Sequence, residues 1–180
     1  MTLSRTPHPS EYPPLYRRYV DRVPEGDVTD TLERQLDETL DLIRRFAPRR
    51  EAYRYAPDKW SVRDVVGHVI DSERVFALRL LWIARAAAAD QPGFEEEDWA
   101  AVSNASRRPL SDLEAELRAV RAATVALLRS LDSRAWERGG TANGVDFTVG
   151  GLAHVIAGHE LHHRAILEER YLPKEWSPET

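Results

Sequence analysis

Residues 147–172 read FTVGGLAHVIAGHELHHRAILEERYL. Their apolar residues recur every three or four positions, which predicts an amphipathic helix. Thr148 offers a side-chain oxygen as the N-cap, and Pro173 stops the pattern, so the helix is expected to reach roughly Arg170. Four of the six histidines of the chain lie on this segment. They are His154, His159, His162 and His163.

Only two of these histidines are expected inside the apolar face of the helix. Each residue advances about 100° around a helix, which places His159 and His163 in the face, His162 at its margin and His154 on the solvent side. Histidines four positions apart have Cβ atoms about 5–6 Å apart, so both imidazoles can bind one metal ion. His162 is a weaker alternative to this pair. His8, His154 and His162 are expected at the surface.

A third candidate ligand, His68, lies in the segment WSVRDVVGHVIDSER, residues 60–74. On a helix, His68 belongs to a core-facing stripe, whereas Glu73 points away from it. The same side carries Asp64, Asp71, Ser72 and Arg79. Buried polar groups need partners, and a metal-centred pocket would supply them. The alternative is that the histidines are hydrogen-bonded core residues and that Asp64 only caps its helix.

Three more segments have helical periodicity, and no stretch alternates convincingly as a strand. These helices are expected over residues 27–47, 61–89 and 111–132. Their expected caps are Thr29 or Asp30 for the first, Ser61 with Asp64 for the second, and Ser111 with Glu114 for the third. A turn-rich connection precedes Thr148. Four helices of this length predict an all-α four-helix bundle.

Residues 1–26 hold five of the eleven prolines and are expected to form an extended N-terminal arm. The aromatic and leucine residues of the arm are expected to pack on the body; they are Tyr12, Leu15, Tyr16 and Tyr19. Residues 27–180 are then a single bundle domain, since a chain of 180 residues fits one domain.

The composition excludes several classes of function. A net charge of −5 gives no general attraction for nucleic acid. No apolar run approaches the roughly 20 residues of a membrane span, and no signal-peptide pattern stands at the N-terminus, so we expect a cytoplasmic protein that has no membrane partner. The chain has no cysteine, so a metal must rest on nitrogen or oxygen ligands, and a thiol must come from outside.

Three segments together resemble the DinB/YfiT-like family of small bacterial proteins. They are WSVRDVVGHVIDSERVF, GFEEEDWA and FTVGGLAHVIAGHELHHRAILEERYL, and the resemblance spans roughly residues 30–172. It implies a four-helix bundle, often a homodimer, with a divalent metal ion (zinc, nickel, iron or manganese) held by three histidines. Carried over to this chain, the ligands are His68, His159 and His163. No role for His154 follows from the resemblance.

The resemblance also implies a metalloenzyme that acts on a small molecule. Our leading hypothesis is a transferase that activates a low-molecular-weight thiol of the bacillithiol type. A metal-dependent hydrolase that activates water is the first alternative, and a non-catalytic metal-binding or small-molecule-binding stress-response protein is the second. Arg79 and Arg164 are candidate contacts for an anionic thiol carrier, although both also suit surface salt bridges.

Overall fold

Four long helices form the bundle in the computed structural model, which describes residues 5–46, 48–87 and 90–172. In chain order the helices are α1 (Arg17–Val20), α2 (Val28–Arg44), α3 (Val62–Ala84), α4 (Glu96–Val102), α5 (Leu110–Arg129), α6 (Ser133–Glu137) and α7 (Val149–Ile166). The long helices α2 and α3 each pack against both α5 and α7. The predicted all-α four-helix bundle is therefore confirmed. Within the described residues, no helix is both long and apolar enough to cross a membrane.

Side-chain caps fix where the helices that carry the histidines begin. Thr148 accepts a hydrogen bond from the Gly151 backbone N–H at the start of α7, as predicted. Ser61 and Asp64 form the predicted reciprocal capping box of α3. Asp27, rather than Thr29 or Asp30, caps α2.

The predicted cap of the third long helix is wrong. Helix α5 begins at Leu110, directly after Pro109, so Ser111 lies inside the helix. Leu110 is fully buried, and its burial favours the earlier start. Glu114 pairs with Arg44 instead of capping.

The ends of the helices also differ from the expectation. Helix α3 ends at Ala84 instead of Ala89, and α7 continues into a π-helical turn at Leu167–Tyr171. Pro173, the predicted stop, lies outside the described residues, as do Ala47 and Ala89.

A β-hairpin occupies the connection that was expected to contain only turns. Strands β1 (Gly139–Ala142) and β2 (Val145–Thr148) pair in antiparallel register. Asn143 and Gly144 both have positive φ, 56° and 69°, as a two-residue type I′ turn requires. The strands are only four residues long, and β1 begins with two glycines. The alternation of apolar and polar residues that marks a strand is therefore not visible in the sequence.

The N-terminal arm differs from the expected extended form. It contains the short helical turns Pro9–Glu11 and Pro14–Tyr16, followed by α1, and a proline at the first position favours each turn. Tyr12 and Tyr19 are buried as expected, but Leu15 is 59% exposed. The arm packs along α7. The division into an arm of residues 1–26 and a bundle of residues 27–180 stays a prediction.

Two glycines of α7 allow the arm to lie directly on the helix backbone. A Cβ atom at Gly151 would stand 2.2 Å from the Glu11 carbonyl oxygen, and one at Gly158 would stand 2.1 Å from the Tyr19 carbonyl oxygen. Real Cβ atoms essentially never approach another heavy atom so closely. A side chain at either position would push the arm off α7.

Gly158→Ala is expected to destabilise the protein, because the added methyl group overlaps backbone atoms that cannot rotate away. Overpacking of this kind costs about 2 kcal/mol of unfolding free energy. Urea denaturation measures the loss. Gly139→Ala is the matched control, since its Cβ would meet its nearest neighbour at an ordinary 3.6 Å. Equal stability of the two variants would contradict the close packing of the arm.

One buried ionic network ties the four long helices together. Arg121 of α5 donates to both carboxylate oxygens of Glu73 on α3 at 2.9 and 2.8 Å, and to Glu160 on α7 at 2.6 Å. It also donates to the Leu32 carbonyl oxygen of α2 at 2.6 Å. Gln35 of α2 donates to Glu160 as well. Because Glu160 follows His159 on α7, the network also fixes the position of α7 along the axis of the bundle.

Candidate metal centre

His68, His159 and His163 meet where α3 packs against α7. The Nε2 atoms of His68 and His159 are 3.1 Å apart. One ring nitrogen from each of the three residues lies within 4.8 Å of the others. The structure thus brings together the three histidines that the sequence and the family resemblance single out. In the described part of the chain they are the one such group of potential metal ligands.

Burial holds these imidazoles in the neutral form. His68 and His159 are each 5% exposed, and His163 is half-buried. Burial lowers the pKa of His68 to about 4. Burial also places the pKa of His159 and of His163 well below the usual value, and the neighbouring histidines lower both further. At neutral pH each ring therefore keeps a free lone pair for a Lewis acid.

The donor set fits a divalent metal ion. Two nitrogens bound to one ion at about 2.1 Å are at most about 4.2 Å apart, so small rotations within the 4.8 Å spread bring all three rings to bonding distance. Three neutral nitrogen ligands suit zinc, nickel and iron, and they leave coordination positions for a substrate. The Nε2 atoms of His68 and His159 contact each other directly, and the nearest described carboxylate to His68 Nε2 is that of Glu96 at 3.8 Å.

Aromatic rings enclose the cluster. The Tyr19 ring lies 5.2 Å from the ring of His159, and the Trp60 ring lies 4.7 Å from the ring of His68. Phe76 contacts His159 from a third direction at 5.9 Å. These contacts fix the imidazole orientations and lower the local dielectric constant, which strengthens the electrostatic interactions of a bound ion.

Two clefts reach the cluster from outside. The first, which we name the arm cleft, has a volume of about 230 Å³; its walls include Arg18, Tyr19, His68, Ser72, Phe76, Glu95, Glu96 and His159. The second, the C-terminal cleft, has a volume of about 180 Å³; its walls include Tyr55, Lys59, Trp60, Glu96, His163 and Tyr171. Glu96 borders both clefts, and its carboxylate lies 3.8 Å from His68 Nε2.

The other polar residues of the predicted α3 stripe are not part of the cluster. Asp64 caps its helix and pairs with Arg54 at 2.8 Å. Asp71 pairs with Arg74. Glu73 points away from His68, as predicted, and belongs to the network around Arg121.

Neither arginine proposed as an anion contact lines the arm cleft or the C-terminal cleft. Arg79 is 3% exposed and donates to the Pro92 carbonyl oxygen at 2.8 Å, so its interpretation as a surface residue is also wrong. Arg164 pairs with Glu38 at 2.7 Å. This pair agrees with the salt-bridge alternative.

The prediction that His154 faces solvent is wrong. His154 is 2% exposed, and its Nδ1 lies 2.9 Å from the Gly150 carbonyl oxygen. The helical wheel assumes one buried face, but the arm covers the opposite face of α7. His162 is half-buried, and its ring lies 5.2 Å from the Tyr19 ring. His8 is exposed, as predicted.

Sequence reasoning missed Arg18, Tyr19 and Glu96 as residues of the site. The sequence predicts only packing for Tyr19, and it gives Glu96 no role beyond its place in the GFEEEDWA segment of the family resemblance. The sequence does carry a weak signal for Tyr19. The arm has an aromatic residue every three or four positions, a spacing that indicates helical turns with one face packed against the body.

Comparisons with known proteins agree with this architecture. The model of the DinB superfamily matches residues 31–167. YfiT from Bacillus subtilis, described as a probable metal-dependent hydrolase with an unusual four-helix bundle topology, aligns with a TM-score of 0.75 at 21% identity, covering 83% of this chain and 87% of YfiT. YjoA, a DinB-like protein of the same organism, aligns with a TM-score of 0.57 at 18% identity, covering 82% and 93%. No curated protein matches significantly.

At these identities the two structures establish a shared fold. The family match itself rests on the sequence and includes α3, α5, α7 and most of α2, with all three clustered histidines. It confirms the resemblance that the sequence motifs indicated. The chain belongs to the DinB superfamily.

Proposed function

We propose that this protein is a divalent-metal-dependent enzyme whose ligands are His68, His159 and His163, and that it transfers a low-molecular-weight thiol to an electrophile. One observation carries the proposal: three neutral imidazoles converge at the inner ends of two separate clefts. When bound, a divalent ion supplies a Lewis acid that lowers the pKa of a thiol or of water in an open coordination position.

The two clefts support a reaction between two small molecules. The arm cleft reaches His68 and His159, whereas the C-terminal cleft reaches His163. A thiol in one cleft and an electrophile in the other would approach the same centre from two sides. This arrangement gives the proximity that a bimolecular reaction needs. The chain has no cysteine, so the sulfur nucleophile must be a co-substrate.

The residues around the cluster would orient the ligands and exclude water. Tyr19, Trp60 and Phe76 surround the imidazoles with apolar rings. Glu96 is the acidic side chain nearest to His68, and it is largely exposed. A carboxylate in this place accepts the proton that a thiol releases and passes it to solvent.

Conjugation of thiols to monochlorobimane tests the transferase proposal. Protein loaded in turn with zinc, nickel, iron and manganese is assayed with bacillithiol, mycothiol and glutathione. At least one combination of metal and thiol should conjugate monochlorobimane faster than the uncatalysed reaction does, and His163→Ala should abolish the acceleration. His8→Ala is the control, because His8 is exposed and lies outside the cluster. No acceleration with any pair would contradict thiol transfer.

Water activation is the second candidate function, and Glu96 is the observation that favours it. A carboxylate beside a three-histidine metal site is a suitable general base for water. YfiT, which shares the fold, is described as a probable metal-dependent hydrolase. Metal-dependent hydrolysis of a panel of esters and amides without any thiol, lost in Glu96→Gln, would support this function over thiol transfer.

We further propose that the protein is cytoplasmic and that it is a homodimer, as the family resemblance implies for the oligomeric state. Sedimentation velocity of the purified chain tests the oligomeric state. A monomer at micromolar concentration would contradict it.

A further inference from the structure

Ser72 carries a buried hydroxyl group without a partner. It lies on α3 one helical turn after His68, lines the arm cleft and is 1% exposed. Its Oγ has no hydrogen-bond partner among the described residues. A serine inside a helix often donates to the carbonyl oxygen four residues earlier, which here belongs to His68, but that bond is not made. Among the described buried side chains with an unpaired hydroxyl, Ser72 is the one that lines the arm cleft, where a ligand can supply the missing partner.

Arg18 supplies the positive charge of the same cleft. Its guanidinium donates to the Tyr19 hydroxyl at 2.7 Å, and no acidic side chain of residues 5–46, 48–87 and 90–172 lies within ion-pair distance of it. Burial raises the pKa of Tyr19, Arg18 lowers it and Glu96 raises it. Both charged groups therefore act on this phenol, which contacts His159.

We propose that Ser72 and Arg18 bind a carboxylate of the substrate in the arm cleft. An arginine fork donates two parallel hydrogen bonds to an oxyanion, and a serine hydroxyl donates a third. Glu95 and Glu96 line the same cleft, so a singly charged carboxylate meets less repulsion there than a dianionic phosphate. The cleft volume of about 230 Å³ is below the roughly 300 Å³ at which drug-sized pockets begin, which selects a small acid.

This inference rests on the proposed function for the thiol group of the substrate, and it narrows that substrate to a short thiol acid. The thiol group lies toward the histidines, and the carboxylate lies toward Arg18 and Ser72. Neither Arg79 nor Arg164 takes part, because neither lines the arm cleft.

Isothermal titration of zinc-loaded protein with three thiols of similar size tests the proposal. The thiols are mercaptopropionate, which carries a carboxylate, mercaptoethanol, which is neutral, and cysteamine, which is cationic. The wild type should bind mercaptopropionate roughly tenfold more tightly than the other two thiols, because one charge-assisted hydrogen bond contributes about that much affinity. Arg18→Gln should abolish that preference. Arg17→Gln is the matched control, because Arg17 is exposed on the same helix and pairs with Asp21.

Ser72→Ala separates binding from folding. Removal of an unpaired buried hydroxyl should leave the melting temperature unchanged or raise it, while mercaptopropionate binds several-fold more weakly. Thr39→Val is the control, since Thr39 also has an unpaired buried hydroxyl but does not line this cleft. A Ser72→Ala variant that loses stability and keeps full affinity would show a structural role and overturn the assignment of Ser72.

A parallel titration with propionate and propylamine distinguishes the two proposals. If no thiol binds but propionate binds in an Arg18-dependent way, the carboxylate site stands and thiol activation fails. If the thiols bind equally well and Arg18→Gln changes neither series, the carboxylate site is overturned and thiol activation stands.

Discussion

Replacing His159 with alanine is expected to remove metal binding from the protein. His159 is as buried as His68, and the Nε2 atoms of the two residues are 3.1 Å apart. Changes to residues that merely orient metal ligands cost about 10–100-fold in affinity or activity, so the loss of a ligand should cost more than about a hundredfold. Elemental analysis after dialysis should find close to one ion per chain in the wild type and almost none in the variant.

Zinc-induced stabilisation is the second measurement for His159→Ala. A ligand present at a hundred times its Kd stabilises the folded state by about 2.7 kcal/mol, so zinc should raise the melting temperature of the wild type but not of the variant. A comparison of each protein with and without zinc cancels the effect of the cavity that alanine leaves. An undiminished zinc effect in His159→Ala would place the metal elsewhere.

His154→Ala is the matched control on the same helix. His154 is as buried as His159, but it faces the arm and lies outside the cluster. This variant should lose stability and keep its zinc-induced shift. If the wild type binds one ion, loses it in His159→Ala, and still catalyses neither thiol transfer nor hydrolysis, the non-catalytic alternative is the better description.

Arg121→Met is expected to cause the largest loss of stability of any single substitution in the bundle. The guanidinium is 1% exposed and partners two carboxylates that are each 2% exposed. Its removal leaves Glu73 and Glu160 buried without a counter-charge, and breaking a buried pair in this way costs about 3–5 kcal/mol. Urea denaturation at neutral pH measures the loss. Arg118→Met, which breaks an exposed pair with Asp37, should cost less than about 1 kcal/mol.

The size of the loss in Arg121→Met decides whether the network stabilises the bundle. A loss of unfolding free energy below about 1 kcal/mol in this variant would contradict the role of the network.

The sequence predicted the features that depend on local pattern. The apolar periodicity of α7, the cap at Thr148 and the capping box of Ser61 and Asp64 are confirmed, because each depends on residues within one or two helical turns. The same periodicity placed His159 and His163 on the inner face. The contact with His68 followed from the stripe on α3 together with the family resemblance.

The features that failed depend on contacts between distant segments. His154 is buried because a proline-rich arm lies on α7, and no helical wheel contains that information. Glu73, Gln35, Arg121 and Glu160 come from four helices, and a charged residue considered alone is expected to be exposed. Only the packing of the bundle brings them together. The surface position suggested for Arg79 failed for the same reason, since its partner, Pro92, lies beyond the end of its helix.

The N-terminal arm and the bundle contribute different residues to the candidate site. The family match begins at residue 31 and includes every clustered histidine. The arm cleft, in contrast, is also lined by Tyr16, Arg18 and Tyr19, which precede the matched residues. Part of the lining of the arm cleft is thus encoded outside the stretch of sequence that carries the histidines. Under the proposed function, substitutions among residues 15–19 change which molecule the centre accepts and leave its metal ligands untouched. In an engineered or diverging relative of this chain, the N-terminal twenty residues are the place to look for a change of substrate.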